Sequence, residues 1–410
     1  MADVFAKCRA YTDVEAATVA GVYPYYRRIE EWYGAAEVRV DGRRVVMAGS
    51  NDYLGLARHP RVVAAAAEAV RRYGATCSGS RLQNGTLDLH ERLEERLAAF
   101  LGRPAAVVLT TGFQTNLALA ALFGRGDAVF ADRENHASLV DAVRLGGATH
   151  RRYPHGGLAQ LDRMLAAAGP DTGRVILTDG VFSADGGVCD LPGLVALART
   201  HDARLFVDSG HDVGLLGKRG RGVAEHFGLE EAVDLVTVTL SKSFGSLGGA
   251  IAGPAAVIRY LRHHARSLLF AAALPPANAA AALTALDVIE AEPERRDRVL
   301  AAAARLRAGL REAGFAVAGS PSAIVPIHLS DRELCLRFWT DLLGEGVFGN
   351  AMVTPGVPPG GDLVRLSVTA DHTATHVARI VAACATVAHR LGVLPLTRHR
   401  RDRSKGRAPS

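Results

Sequence analysis

Residues 204–243 read RLFVDSGHDVGLLGKRGRGVAEHFGLEEAVDLVTVTLSKS, and this stretch decides the fold. It opens on a short apolar run at 204–207 that ends in Asp208, with His211 three positions later. It closes on a second run, 235–239, that leads into Ser241-Lys242-Ser243 and a glycine-rich segment, 245–249. Short apolar runs without polar alternation suit strands buried on both faces of a parallel sheet. In such sheets functional groups gather beyond the carboxyl ends of the strands, where Asp208, His211 and Lys242 fall. A lysine directly past a buried strand needs its desolvation compensated, which marks Lys242 for chemistry.

Further runs occur upstream at 105–109 (AAVVL), 128–131 (AVFA) and 175–178 (VILT). Helical patterns at 114–122, 138–145, 158–168 and 192–200 separate most of the runs. Strands alternating with helices predict an α/β fold, a mostly parallel sheet covered on both faces. The large domain is placed at about 51–285. Before it lies an N-terminal arm, 1–50, with a hairpin at 38–47 turning on Asp41-Gly42. A helix is expected from His59 on, with Val62, Ala66 and Val70 spaced by four. Beyond Leu274-Pro275-Pro276, helices are expected at 277–289 and, after Pro293, at 294–313. Strands at 324–328 and 364–368 and a closing helix near 374–391 complete a smaller α+β domain, 286–396.

The chain has 410 residues, 49% hydrophobic and 22% charged, an ordinary globular profile. No apolar run approaches the roughly 18–20 residues that span a bilayer, and residues 1–12 lack the apolar core of a signal peptide. A cytoplasmic location is expected. Five scattered cysteines without a CxxC pair argue against a disulfide framework and against a zinc site, so no metal is expected. Much of the net charge of +6 sits in the tail, at 398–407 (RHRRDRSKGR). Residues 397–410 are read as a disordered solubilising tail, and no nucleic-acid partner is expected.

Other strand ends carry their own candidates. Thr111-Gly112-Phe113-Gln114 opens a helix, and a glycine turn there presents free N–H groups to a phosphate. His136 follows the run at 128–131, and Asp179 through Asp185 follows the run at 175–178. Taken together, these residues describe a site for pyridoxal 5′-phosphate (PLP). A partly desolvated lysine suits a Schiff base. A carboxylate facing a pyridine nitrogen makes the ring an electron sink, an imidazole covers it, and helix-terminal amides hold the phosphate.

The ordered landmarks resemble the α-oxoamine synthases, closest to the serine palmitoyltransferase branch. They run from about Gly21 to Thr373: Asn51-Asp52-Tyr53-Leu54-Gly55, Gly79-Ser80-Arg81 with Gly85-Thr86, Gly112-Phe113, His136-Ala137-Ser138, Gly180-Val181-Phe182-Ser183, Thr239-Leu240-Ser241-Lys242, Leu274-Pro275-Pro276, and Arg365 through Ala370-Asp371-His372-Thr373. The resemblance implies the PLP-dependent aminotransferase-like fold (fold type I), with a mostly parallel seven-stranded large-domain sheet. It implies decarboxylative condensation of an amino acid with an acyl thioester, on coenzyme A or a carrier protein, at sites shared across a homodimer. Transamination or retro-aldol cleavage on the same fold is the alternative.

Carried over by position, Lys242 forms the Schiff base and moves protons, Asp208 pairs with the pyridinium nitrogen, and His136 stacks on the ring. His211 and Ser183 contact the phenolic oxygen side, while Gly112, Phe113 and Thr239, with Ser241 beside Lys242, bind the cofactor. Arg365 holds the substrate carboxylate, and Asn51 and His136 lie near the substrate. Two departures stand out. Gly210 replaces the alanine that packs beneath the ring. Ala271, Ala272 and Ala273 offer no hydroxyl where relatives reach the neighbouring subunit's phosphate. Losing such a charge-assisted bond costs on the order of 1.5–3 kcal/mol, so PLP should be held more weakly than in relatives. An absorbance titration checks this, and unusually tight binding would contradict it.

Overall fold

The computed structural model describes residues 3–393, so the basic tail expected at 397–410 lies outside the described residues. The hairpin forms as the sequence implies. Strand β1 (Ile29–Tyr33) pairs with β2 (Glu37–Val40), which pairs with β3 (Arg43–Met47), all antiparallel. Asp41 and Gly42 both take positive φ, 50° and 72°, as a tight hairpin turn between right-twisted strands requires.

The large sheet contains β4 (Ala105–Leu109), β5 (Asp127–Asp132), β6 (Thr149–Tyr153), β7 (Gly173–Asp179), β8 (Arg204–Asp208), β9 (Leu235–Thr239) and β10 (Gly249–Gly253). Its seven strands run in the order β4-β10-β9-β8-β7-β5-β6. All neighbouring pairs from β9 to β6 are parallel, and β10 is antiparallel to both β4 and β9. Neither β6 nor β10 was legible as a strand. The first is a polar edge strand, THRRY, with one buried residue. The second, GAIAG, starts on the last residue of the glycine-rich segment 245–249 and carries no strand signal, yet all five of its residues are buried. Along β4, Ala106 and Val108 enter one core while Val107 and Leu109 enter the other, so both faces of the sheet are covered.

The helix after His59 spans Pro60–Tyr73 as expected, but the spacing of four does not mark its buried side throughout. Val62 and Ala69 face inward while Val70 is 42% exposed. A strict spacing of four drifts around a helix of 3.6 residues per turn, and a residue seven on returns to the same face. This helix packs against Pro276–Ala291, which is apolar nearly all round and largely buried. Helix Glu294–Glu312 follows.

The C-terminal part adds β11 (Ile324–His328), helix Arg332–Gly344, β12 (Val347–Phe348), β13 (Asn350–Met352), β14 (Leu363–Ser367) and helix Ala374–Arg390. Strands β11, β14 and β13 form an antiparallel sheet. Strand β12 pairs in parallel with β3, so the hairpin and the C-terminal part share one four-stranded sheet. This pairing brings the segment after β3, with Asn51 and Tyr53, against β14 and Arg365. Among the described residues no helix is long and apolar enough to cross a membrane.

Candidate active site

The strands β7, β8 and β9 end side by side, with Asp179 in register with Asp208 and Asp208 with Thr237. A cavity of about 310 Å³ lies over these ends. Gly112, Phe113, His136, Ser183, Asp208, His211, Thr239, Ser241 and Lys242 all line it. The sequence reading therefore gathers into one place.

Each position has a local cause. Helix Gly112–Ala118 begins directly after β4, and Thr111 caps it by accepting from the Gln114 N–H at 3.1 Å. A Cβ on Gly112 would lie 2.6 Å from Thr239 Oγ1, and one on Gly249 would lie 2.4 Å from Thr115 Oγ1. The helix start thus rests on β9 and β10 with no room for side chains, leaving its first N–H groups open to the cavity. Thr239 Oγ1 and Ser241 Oγ lie 2.8 Å apart on the same wall.

Asp208 Oδ2 accepts from Asn116 Nδ2 at 2.5 Å and Oδ1 from the Gly210 N–H at 2.9 Å. The Lys242 side chain makes no hydrogen bond or ion pair with a described residue. A Cβ on Gly210 would sit 3.0 Å from Lys242 Nζ and 3.1 Å from Asp208 Oδ1. Gly210 is therefore the space into which both functional groups look, and an alanine there would press on the lysine tip. Burial lowers the Lys242 pKa to about 8, against a partial rise from Asp208. In the apo protein its free-amine fraction should rise with pH through a midpoint near 8, measured by competitive acylation and peptide mapping. A midpoint near 10.5, the ordinary lysine value, would contradict this.

Asn51 and Arg365 stand beside the cavity wall. Arg365 Nη2 donates to Asn51 Oδ1 at 2.9 Å and to the Tyr53 hydroxyl at 3.0 Å. That hydroxyl lies 2.7 Å from His211 Nδ1. The chain Asn51–Arg365–Tyr53–His211 thus ties the C-terminal sheet to the cavity. Burial, then the nearby Lys242 and Arg365 charges, push the His211 pKa well down, so the ring is neutral.

Several residues have roles that the sequence does not show. Asn116 and Thr237 line the cavity, and Ser138 hydrogen bonds to Asn116 and His136. Asn116 follows Gly112 by four, one helical turn, a spacing that points both at the sheet end. Asp179 stood in a quoted segment without a role. It is 3% exposed, accepts from the His136 N–H at 3.1 Å, and its Oδ1 has no partner. Burial and the adjacent Asp208 raise its pKa far above the ordinary carboxyl range. Outside the cavity, Glu134, His155 and Asp185 bring possible ligand atoms within 4.8 Å of one another. Burial opposes charge on His155, but Asp132, Glu134 and Asp185 outweigh it and raise its pKa.

The comparisons agree with this geometry. The family model described as "Aminotransferase class I and II" matches residues 43–383. The serine palmitoyltransferase of Bacteroides thetaiotaomicron is 43% identical over 354 residues, 86% of this chain and 90% of that protein. The 8-amino-7-oxononanoate synthase of Geobacter sulfurreducens is 43% identical over 374 residues, 90% of this chain and 96% of that protein. Among solved structures, a serine palmitoyltransferase variant from S. paucimobilis with a bound PLP–myriocin aldimine superposes with a TM-score of 0.93 at 31% identity, covering 96% of this chain and 100% of the other. This chain belongs to the class I and II aminotransferase family and, within it, to the α-oxoamine synthases.

Proposed function

We propose that the protein condenses an L-amino acid with an acyl thioester, using PLP, to give an α-amino ketone, carbon dioxide and a free thiol. The observation that carries this reading is the meeting of Lys242 and Asp208 at one cavity, with Arg365 held beside it. The residues fit PLP. Gly112 packs on Thr239 too closely for a Cβ, which seats the helix start at the cavity, and Asp179 leaves an orphaned buried oxygen at the cavity wall. Gly112, Phe113, Thr239 and Ser241 would hold the phosphate end, Asp208 the pyridine nitrogen, Ser183 and His211 the phenolic side, and His136 the ring face.

Bound there, PLP supplies an electron sink for charge left on the substrate α-carbon. Lys242, with its lowered pKa, takes the α-proton and returns one later. Arg365 orients the amino-acid carboxylate, and its Nε is buried without a partner of its own. The α-carbon bonds to the acyl carbon, the thiolate leaves, and the substrate carboxylate departs as carbon dioxide.

Arg365→Ala should raise KM for the amino acid by about 10- to 100-fold, with a smaller change for the thioester, because a charge-assisted pair is lost. Steady-state kinetics with each substrate varied checks this, and an unchanged amino-acid KM would remove Arg365 from the role. Incubation with amino acids and acyl-CoA, scored for carbon dioxide and free thiol, tests the reaction itself. Keto-acid or aldehyde products instead would mean transamination or retro-aldol cleavage.

A homodimer belongs to the same proposal. Phe113 and Leu247 line the cavity yet are 44% and 37% exposed, an apolar rim that a second subunit would cover. Light scattering tests it. The divisions at about residues 50, 285 and 396 are likewise proposed, for limited proteolysis to test, as is a cytoplasmic location.

A further inference from the structure

We infer that Ser138 and Asn116, which the family resemblance leaves without a role, are positioning residues that hold His136 as a neutral ring with its proton on Nε2. The inference rests on the reading above and deepens it, because it fixes what His136 does at the substrate.

Asn116, Ser138 and Thr237 are 4%, 0% and 3% exposed, so no solvent relieves a misdirected proton. Asn116 Nδ2 lies 2.5 Å from Asp208 Oδ2, and the opposite amide orientation would press two oxygens together. The amide is thereby fixed. Its second N–H points to Ser138 Oγ at 2.8 Å, while Thr237 Oγ1 donates to Asn116 Oδ1 at 2.9 Å. Ser138 Oγ is thus an acceptor from Asn116, and its single proton goes to the other neighbour, His136 Nδ1, 2.6 Å away. The Ser138 backbone N–H also points at Nδ1, at 3.3 Å.

Two donors converge on Nδ1, so that nitrogen keeps its lone pair and the ring proton resides on Nε2. Were Nδ1 protonated, the Ser138 hydroxyl proton would be stranded against the amide of Asn116. Burial pushes the His136 pKa down, against a smaller rise from Asp208, which also disfavours the doubly protonated ring. His136 therefore offers the cavity only an N–H. It can donate to an anionic or carbonyl oxygen of the substrate but cannot take the α-proton, which leaves that task to Lys242. Asp208 acts at both ends, since its acceptor-only carboxylate sets the direction of the whole chain of bonds.

The test is the nitrogen spectrum of His136 in the full-length protein, with and without PLP, using histidine-selective 15N labelling. The His136 signals are identified by their loss in His136→Gln. At neutral pH the wild type should show a protonated Nε2 and an unprotonated Nδ1. Ser138→Ala should shift both signals toward a mixture of tautomers and lower kcat about tenfold, and Ser138→Thr should restore both. A wild-type ring protonated on Nδ1 or on both nitrogens would overturn the inference. So would an unchanged pattern in folded Ser138→Ala. If Ser138→Ala does not fold, the wild-type and Ser138→Thr spectra still decide. The spectra need no turnover, so a correct tautomer in a protein without condensation activity would refute the proposed reaction and leave this inference standing.

Discussion

Lys242→Ala should lower kcat for condensation by about a thousandfold or more, since both covalent attachment and proton transfer fall to this group. No neighbour can substitute. His211 is held by Tyr53 and pushed strongly toward the neutral form, and the Arg365 guanidinium does not lose a proton at working pH. The fold should survive the change. The Lys242 side chain makes no hydrogen bond or ion pair with a described residue, and burial outweighs the attraction of Asp208 for its ammonium, so removing it relieves more desolvation than it forfeits attraction. Thermal unfolding should therefore show an unchanged or slightly raised Tm. Turnover retained within tenfold of wild type would refute the assignment.

Asp208→Asn should cost about 100- to 1000-fold in kcat, the scale for losing a directed electrostatic contact at a reacting centre. The side chain keeps its shape but loses its charge, and with it the preference for a protonated pyridine nitrogen. The change also reaches further. Asn116 Nδ2 donates to Asp208 at 2.5 Å, and a carboxamide there can present an N–H instead of an acceptor. Asp179→Asn is the natural control. That carboxyl is 3% exposed and pushed toward its neutral form by burial, so an isosteric amide should change kcat far less. Equal losses in the two variants, measured with PLP occupancy matched, would argue against a special role for Asp208.

The site was legible because its chemistry sits at strand ends that the sequence marks plainly. Asp208 and Lys242 follow unbroken apolar runs, and Gly112 follows another. What stayed hidden depended on the third dimension. Strand β6 is polar because it is an edge, and β10 opens on Gly249 because helix Gly112–Ala118 lies directly against it there. No periodicity signals either cause. Tyr53 lay inside a quoted landmark, but its role as a link between Arg365 and His211 needs the pairing of β3 with β12. Asn116 and Ser138 are ordinary helix residues by type, and only burial and the direction of each donor set them apart.

The chain has four lysines, at positions 7, 218, 242 and 405. Borohydride reduction of the PLP-loaded protein, followed by peptide mass mapping, therefore gives an unambiguous answer. A pyridoxyl group on Lys242, absent from the other three, is the predicted result. A label on Lys7, Lys218 or Lys405, or none at all in a protein that binds PLP, would contradict the account.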